Sequence, residues 1–300
     1  MKNKLFTALL VLAMLASVTS IAQVTTSKIQ GTVVDNSGVG LFGANVVATH
    51  TPTGTVAGTM TLESGRFSLP NLRVGGPYTI AISYIGYNTV EYTDVFLNLG
   101  TAFDVDVVLE GESEQLQEVV ISGGRSATFN NDRTGAETSV GRRELTKLPT
   151  ISRSAADFYR LDPSASAGSF GGRNDQYNNF TLDGSIFNNP YGLDAATPGG
   201  QTDAQPISLD AIDQISVATA PYDVTMSGFT GASVNAVTKS GTNEIQGTVY
   251  GYFRNEDFTG SKIKGDKLFK SKLEQTQYGF SIGAPIVKNK LFVFANFEKD

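Results

Sequence analysis

The side chains that most often perform catalysis or bind metals are scarce in this 300-residue chain. It contains no cysteine, and His50 is its single histidine. Thiol nucleophiles, thiolate metal sites and disulfide frameworks are therefore excluded, and a multi-histidine metal site is impossible. His50 falls in a predicted loop, where we expect an ordinary surface histidine.

Carboxylates are the remaining candidates for chemistry. Asp175, Asp183 and Asp194 lie in Asn- and Gly-rich stretches, but they lack the Asp-x-Asp-x-Asp-Gly spacing of a calcium-binding loop. No spacing pairs two carboxylates for general acid–base catalysis, and turn formation explains these residues better. We therefore expect no catalytic residue, no metal site, no cofactor and no enzymatic activity.

Charge narrows the range of partners. The chain has 29 acidic and 23 basic residues, and this acidic excess argues against general nucleic-acid binding. Charged residues make up only 17% of the chain, while it holds 32 glycines, which favours a fold rich in strands and turns.

The most distinctive short segment combines an acidic residue with three β-branched ones: Glu118, Val119, Val120, Ile121 and Ser122. Such an extended segment can add its backbone to the sheet edge of a partner protein. It can equally be the first strand of the following domain. The pattern favours neither alternative, and both can hold in different states.

The elements around this segment begin with an N-terminal secretory signal over residues 1–22. Two lysines precede a 12-residue apolar run, and small residues predict cleavage between Ala22 and Gln23. The run is shorter than the ~20 residues of a transmembrane helix. A buried helix is the less favoured alternative.

Residues 28–110 contain short β-prone runs separated by turn residues, which predicts an all-β sandwich. In Tyr78–Tyr84 the alternation puts Tyr78, Ile80, Ile82 and Tyr84 on the core face. The segment resembles the carboxypeptidase regulatory-like domain through Ile29-x-Gly31-x-Val33-x-Asp35 and Gly65-Arg66-Phe67-Ser68-Leu69. The resemblance implies a transthyretin-like or Ig-like, carbohydrate-binding-like accessory module of seven strands.

An acidic linker, 111–124, follows this sandwich and contains the segment Glu118–Ser122. In this context the segment resembles the TonB box of Bacteroidetes outer-membrane receptors. The resemblance implies that it pairs with the periplasmic domain of TonB, which draws on the inner-membrane proton gradient.

The sequence pattern over residues 125–242 predicts a mixed α+β region. A helix is expected over Ser152–Leu161, a strand ends at a tight Asp183-Gly184 turn, and a helical turn at Ser208–Asp213 leads into a strand. The region resembles the plug domain of TonB-dependent receptors, and Ala220–Asn243 resembles their Oar-like branch. The residues that match the plug motif are Arg173, Asn179, Leu182, Asp183 and Gly184.

Residues 243–300 contain three alternating segments, Ile245–Arg254, Gln275–Ala284 and Leu291–Glu298. Alternation fits transmembrane β-strands, but a soluble sheet with one wet face gives the same pattern. A 20-residue first connection and a six-residue second one favour a barrel with long outer loops and short periplasmic turns. This segment also resembles the start of an Oar-like barrel.

Together these resemblances imply the N-terminal part of an Oar-like TonB-dependent transporter in the Gram-negative outer membrane, with its N-terminal domains in the periplasm. The implied partners are TonB, outer-membrane lipid and an unknown substrate: a peptide, protein, siderophore or glycan. The alternative is a secreted or surface-attached carbohydrate-binding adhesin. Three strands alone would leave an open edge in lipid, so we expect a truncated barrel.

Overall fold

A computed structural model describes residues 25–111, 119–122, 136–150, 153–166, 168–188, 207–221, 226–258, 260–267 and 269–299. The predicted signal with its cleavage site at Ala22 and Gln23 lies outside these ranges, as do Glu118 and most of the predicted linker.

The N-terminal part folds as a sandwich of two sheets. A three-stranded sheet has the order β4-β1-β7, and a five-stranded sheet has the order β3-β2-β5-β6-β8. The strands are β1 (Thr26–Asp35), β2 (Asn45–His50), β3 (Thr55–Met60), β4 (Arg66–Arg73), β5 (Gly75–Ser83), β6 (Val90–Leu97), β7 (Ala102–Leu109) and β8 (Val119–Ser122).

The predicted core face of the sandwich is confirmed. Tyr78, Ile80 and Ile82 are buried, and Tyr84 packs against the same core from a half-buried position. Alternation along β5 therefore identified the inner face, because a strand directs successive side chains to opposite sides of its sheet.

Strand β6 was not predicted, because its apolar residues change face within the strand. Val90 is buried, and so are Val95 and Leu97, which have the opposite parity. The pairing of β6 with β5 is irregular here, and Asp94 has a positive φ of 57°. A bulge shifts the alternation by one residue, so a search for period two fails.

The prediction of a surface histidine is wrong. His50 ends β2, is buried, and lies 4.8 Å from the ring of Tyr78. Its Nδ1 is 2.6 Å from the hydroxyl of Thr53. Burial, helped by the charge of Arg73, lowers the pKa of His50 from 6.5 to about 4.

The middle of the chain forms a five-stranded central sheet of order β13-β12-β15-β14-β9. Strands β12 and β15 are parallel, and the other neighbours are antiparallel. The elements are β9 (Ala136–Val140), α1 (Arg142–Lys147), α2 (Ala156–Tyr159), β10 (Ala165–Ser166), β11 (Ser169–Phe170), β12 (Asn179–Leu182), β13 (Ser185–Ile186), β14 (Ile212–Ala220) and β15 (Ser233–Thr238). The helical turn predicted before β14 is a 3-10 helix, Leu209–Ala211, capped by Ser208.

The helix predicted over Ser152–Leu161 is much shorter in the structure. Helix α2 covers Ala156–Tyr159, and its N-cap residue Ala155 makes no side-chain capping bond. Phe158 is buried, whereas Leu161, beyond the end of the helix, is 39% exposed. Helix α1 was missed because it is short and polar, with Leu145 as its one buried residue.

The three alternating segments of the C-terminal region form an antiparallel sheet of order β16-β19-β20, called here the C-terminal sheet. A small hairpin lies in the long connection, and the predicted short connection is a tight turn. The strands are β16 (Gln246–Asn255), β17 (Lys262–Ile263), β18 (Asp266–Lys267), β19 (Glu274–Val287) and β20 (Leu291–Lys299). No helix in the described ranges is both long and apolar enough to cross a membrane.

The C-terminal sheet has its apolar face outward. On β19, Tyr278, Phe280 and Ile282 are 46–47% exposed. Gln277 and Ser281, on the opposite face of the strand, are each 6% exposed. A soluble sheet with one wet face would bury the apolar set instead. The alternative of an ordinary soluble sheet therefore does not fit.

Candidate functional site

Strand β8 contains four of the five residues of the predicted partner-binding segment. It pairs with β6 in parallel register, from Val90 opposite Val119 to Thr93 opposite Ser122. It is the last strand of the five-stranded sheet. Of the two alternatives for this segment, the structure does not show it as the first strand of the following domain, because its sheet neighbour β6 belongs to the preceding sandwich. The expectation that it binds a partner stays a prediction.

The sandwich contacts the central sheet through Gln214 on β14. Its side-chain oxygen accepts from the backbone N–H of Leu99 at 2.9 Å, and its side-chain nitrogen donates to the carbonyl of Leu97 at 3.1 Å. Gln214 is buried. A single amide thus satisfies two backbone groups at the end of β6, the strand that pairs with β8.

A charged group lies beside this contact. Burial raises the pKa of the Asp213 carboxyl, against the opposing effects of Arg142, Arg73 and Lys239. The guanidinium of Arg73 also donates to the hydroxyl of Ser240. These residues come from the sandwich, from helix α1 and from the end of β15, so they link separate parts of the fold by charge.

Three of the predicted plug-motif residues lie at the end of β12 and in the turn directly after it. Asp183 and Gly184 both have positive φ angles, 49° and 80°, between two paired strands. This geometry is typical of a tight hairpin, and Gly184 adopts it without steric cost. The Asp183 carboxylate accepts from the backbone N–H and the hydroxyl of Thr238, at 2.9 and 2.8 Å. Leu182 is half-buried against the core of the central sheet.

Asn179 and Arg173 lie in different surroundings. Asn179 is buried, donates to the carbonyl of Ser227 at 3.2 Å and accepts from the amide of Asn188 at 2.9 Å. Arg173 is exposed, and its backbone N–H donates to Phe170. Asn179 and Leu182 therefore lie on one strand, and the turn follows it directly, whereas Arg173 lies on a separate loop.

A polar cluster between the central region and the C-terminal sheet was missed by sequence reasoning. The Glu298 carboxylate accepts from Tyr250 at 2.6 Å and from Ser208 at 2.9 Å. The guanidinium of Arg153 lies 4.0 Å from Glu298 and 4.1 Å from the ring centre of Tyr252. Each of these contacts joins residues at least 48 positions apart in sequence, so no local pattern predicts the cluster.

The cluster and the buried polar residues Gln277 and Ser281 of β19 give the C-terminal sheet a polar, partly charged inner side against the central region. Within the described ranges, no three histidine, cysteine, aspartate or glutamate side chains are grouped to hold a metal ion.

Comparison with known proteins identifies two domain families. Residues 28–110 match the carboxypeptidase regulatory-like domain, and residues 237–300 match the outer membrane beta barrel domain. The first match covers strands β1–β7 of the sandwich but not β8, and the second begins in β15 and includes the whole C-terminal sheet.

The relatives belong to one class. The chain is 26% identical over 257 residues to the TonB-dependent transporter Oar of Myxococcus xanthus, covering 79% of this chain and 23% of that protein. It is 35% identical over 147 residues to the TonB-dependent receptor SusC of Bacteroides thetaiotaomicron, covering 48% of this chain and 13% of that protein. The chain thus spans about a quarter or less of these relatives.

A solved structure of the siderophore receptor PirA from Acinetobacter baumannii overlaps 54% of this chain and 24% of its own, with 19% identity and a TM-score of 0.40. An overlap of this degree supports no conclusion. The sequence relationships do: the chain is homologous to TonB-dependent transporters and receptors, which are not enzymes, and they support a location in the Gram-negative outer membrane.

Proposed function

We propose that this chain forms the N-terminal part of a TonB-dependent outer-membrane receptor or transporter for a large or scarce substrate. The observation that carries the proposal is the polarity of the C-terminal sheet. On β19 the apolar side chains Tyr278, Phe280 and Ile282 are exposed, whereas the polar side chains Gln277 and Ser281 are buried on the opposite face. Lipid outside and a plugged, polar lumen inside require this arrangement of a barrel wall.

The roles that we propose for the other regions follow from the C-terminal sheet being a barrel wall. Residues 125–242, which contain the central sheet, act as a plug domain, and residues 243–300 begin the barrel. The Arg153–Glu298 contact then joins plug to wall. Residues 1–22 direct export and are removed after Ala22, and the sandwich lies in the periplasm. The protein breaks no bond in its substrate, which is a peptide, protein, siderophore or glycan.

In this proposal Glu118–Ser122, with 111–124 as its linker, is the segment that TonB binds and pulls. Replacement of Val120 with proline removes a backbone donor from any strand ladder that this segment forms. We expect TonB-dependent uptake to be abolished while the complete protein still reaches the cell surface. Uptake assays paired with surface labelling measure both. Normal uptake by the Val120→Pro variant contradicts the proposal.

A surface-attached carbohydrate-binding adhesin is the competing function, and it would use the sandwich as its working part. An adhesin has no use for a C-terminal sheet whose apolar face is outward. Fractionation separates the two functions: a transporter partitions with outer-membrane detergent extracts, whereas an adhesin partitions with soluble or peripheral material.

A further inference from the structure

We propose that the small hairpin of β17 and β18, in the long connection between β16 and β19, binds phosphorylated glycolipid headgroups of the outer leaflet. The hairpin then attaches the outer rim of the barrel wall to the surrounding lipid. The inference rests on the proposed function, because it requires the C-terminal sheet to be a barrel wall and the sandwich to be periplasmic.

The long connection lies at the end of the C-terminal sheet that is away from the sandwich. At the near end, the backbone N–H of Asn243 donates to the carbonyl of Pro52, in a sandwich loop, at 2.8 Å. The side-chain oxygen of Asn243 accepts from the backbone N–H of Asn289, in the tight turn between β19 and β20, at 2.8 Å. Strand β19 runs from the long connection to this turn. A periplasmic sandwich therefore puts the long connection at the outer surface.

The connection begins on the apolar, outward side of the sheet. Tyr252 of β16 lies against Arg153 on the inner side, so its neighbour Phe253 points outward and is 56% exposed. The ring of Phe258, in the first turn of the connection, lies 6.5 Å from that of Phe253 in an edge-to-face arrangement. Aromatic residues line the lipid interface of a barrel wall. This pair therefore marks the level at which lipid tails give way to headgroups.

Hydrogen bonds close the base of the connection. The backbone N–H of Glu256 donates to the carbonyl of Leu273, and the Glu256 carboxylate accepts from the backbone N–H of Leu273, both at 3.2 Å. The ammonium group of Lys270 donates to the carbonyl of Glu256 at 2.9 Å. The small hairpin is thus carried on a closed base, which lowers the entropy that it loses when it binds a ligand.

Positive charge is concentrated in this connection. Residues 262–272 contain five lysines and one aspartate, an excess of four positive charges, although the whole chain has a net charge of −6. Lys262 and Lys267 are register partners on β17 and β18. Like charges directly opposite one another destabilise a strand pair. A phosphate bound by both ammonium groups replaces this repulsion with two charge-assisted hydrogen bonds.

Large apolar side chains accompany these charges. Phe258, Ile263 and Phe269 are 74%, 59% and 92% exposed. Lysines interleaved with exposed apolar residues are typical of segments that lie in a membrane interface, where ammonium groups reach phosphates in water and apolar groups reach the acyl boundary. A soluble anionic substrate would use the charges but not the apolar side chains. The combination therefore favours a lipid as the ligand.

The test uses the complete protein purified in detergent, with fluorescent bisphosphorylated lipid A as the probe. Lipid A with the same acyl chains but no phosphate separates headgroup binding from acyl binding. The test variant is Lys262→Gln with Lys267→Gln. Lys288→Gln with Lys290→Gln removes the same charge from exposed positions in the tight turn at the other end of the sheet, and is the matched control. Lys262→Arg with Lys267→Arg keeps the charge of the hairpin.

Each lysine near an anionic lipid surface strengthens binding about fivefold, so the Lys262/Lys267 glutamine variant should bind bisphosphorylated lipid A about 25-fold more weakly than the wild-type protein. The control variant and the arginine variant should bind as the wild-type protein does. The wild-type protein should lose affinity to a similar extent when the lipid A has no phosphate.

Equal binding by the wild-type protein and the glutamine variant overturns the hairpin proposal alone, and loss of uptake by that variant would then assign the hairpin to the substrate. An equal loss in the control variant also overturns it, because net charge would then explain the binding. Absence of the wild-type protein from outer-membrane detergent extracts overturns the proposed function, and the hairpin proposal with it.

Discussion

The sandwich and the C-terminal sheet share an alternating sequence pattern, but their apolar residues lie on opposite sides. The apolar face is buried in the sandwich and exposed in the C-terminal sheet. On β5, Ile80 and Ile82 are fully buried, while on β19 the equivalent apolar set, including Phe280 and Ile282, is about half exposed. In the C-terminal sheet the buried positions hold Gln277 and Ser281 instead. Alternation therefore predicts a strand with two unlike faces, and the surroundings decide which face is the inside.

The largest expected difference between these regions is the cost of removing an apolar side chain. Ile80→Ala leaves a cavity in a packed core and should destabilise the sandwich by about 2–5 kcal/mol. Ile282→Ala removes a side chain that packs on one side only, and should change stability by about 0.5 kcal/mol. Denaturant unfolding of the complete protein in detergent, followed by hydrogen exchange in β5 and β19, measures both. Equal losses would remove the distinction between the two sheets.

A second expected difference is a dependence on pH that belongs to the sandwich. The folded sandwich keeps His50 neutral, since burial lowers its pKa from 6.5 to about 4. Above pH 6.5 this contribution to stability is complete. As the pH falls from 6.5 to about 4 the unfolded chain binds a proton that the folded chain refuses, so stability declines.

The measurement is the urea midpoint of sandwich unfolding at each pH, for the wild-type protein and for His50→Phe. The difference between the two curves should fall across this window and then level off. The C-terminal sheet contains no histidine and should show no such step. A flat difference curve for the sandwich would mean that His50 titrates as it does in water.

The smallest effect concerns reactivity and leaves stability nearly unchanged. In lipid vesicles, Ile282→Cys should react much more slowly with a water-soluble maleimide than Lys267→Cys in the exposed small hairpin, because lipid covers the outer face of β19. Denaturation should make the two rates equal. Equally fast labelling in vesicles would show that the apolar face meets water, which the adhesin alternative requires.

Much of the fold could be predicted, because local pattern and turn chemistry specify strands. Strand β5 of the sandwich, the Asp183-Gly184 turn and all three main strands of the C-terminal sheet lie where the sequence predicted them. The failures have local causes as well. A bulge at Asp94 concealed β6, and α1 has too few apolar residues to show a helical stripe.

The candidate site was predicted less well than the fold. The five residues Glu118–Ser122 were recognised as β-prone, but the pairing of Val119–Ser122 with β6 involves a strand almost 30 positions earlier. The Gln214 contact and the Arg153–Glu298 pair join residues more than 100 positions apart. Polar residues of these types are common on surfaces, so only their positions in space single them out.

Local sequence specifies most of the strands, the residues that share a face and the turns between them, because period-two alternation and glycine or asparagine turns act over a few residues. Tertiary contacts instead put the apolar face of the C-terminal sheet outside, bury His50 and add β8 to the sandwich. Each of these features depends on which distant backbone or side chain pairs with or covers a residue. The local sequence does not specify that distant partner.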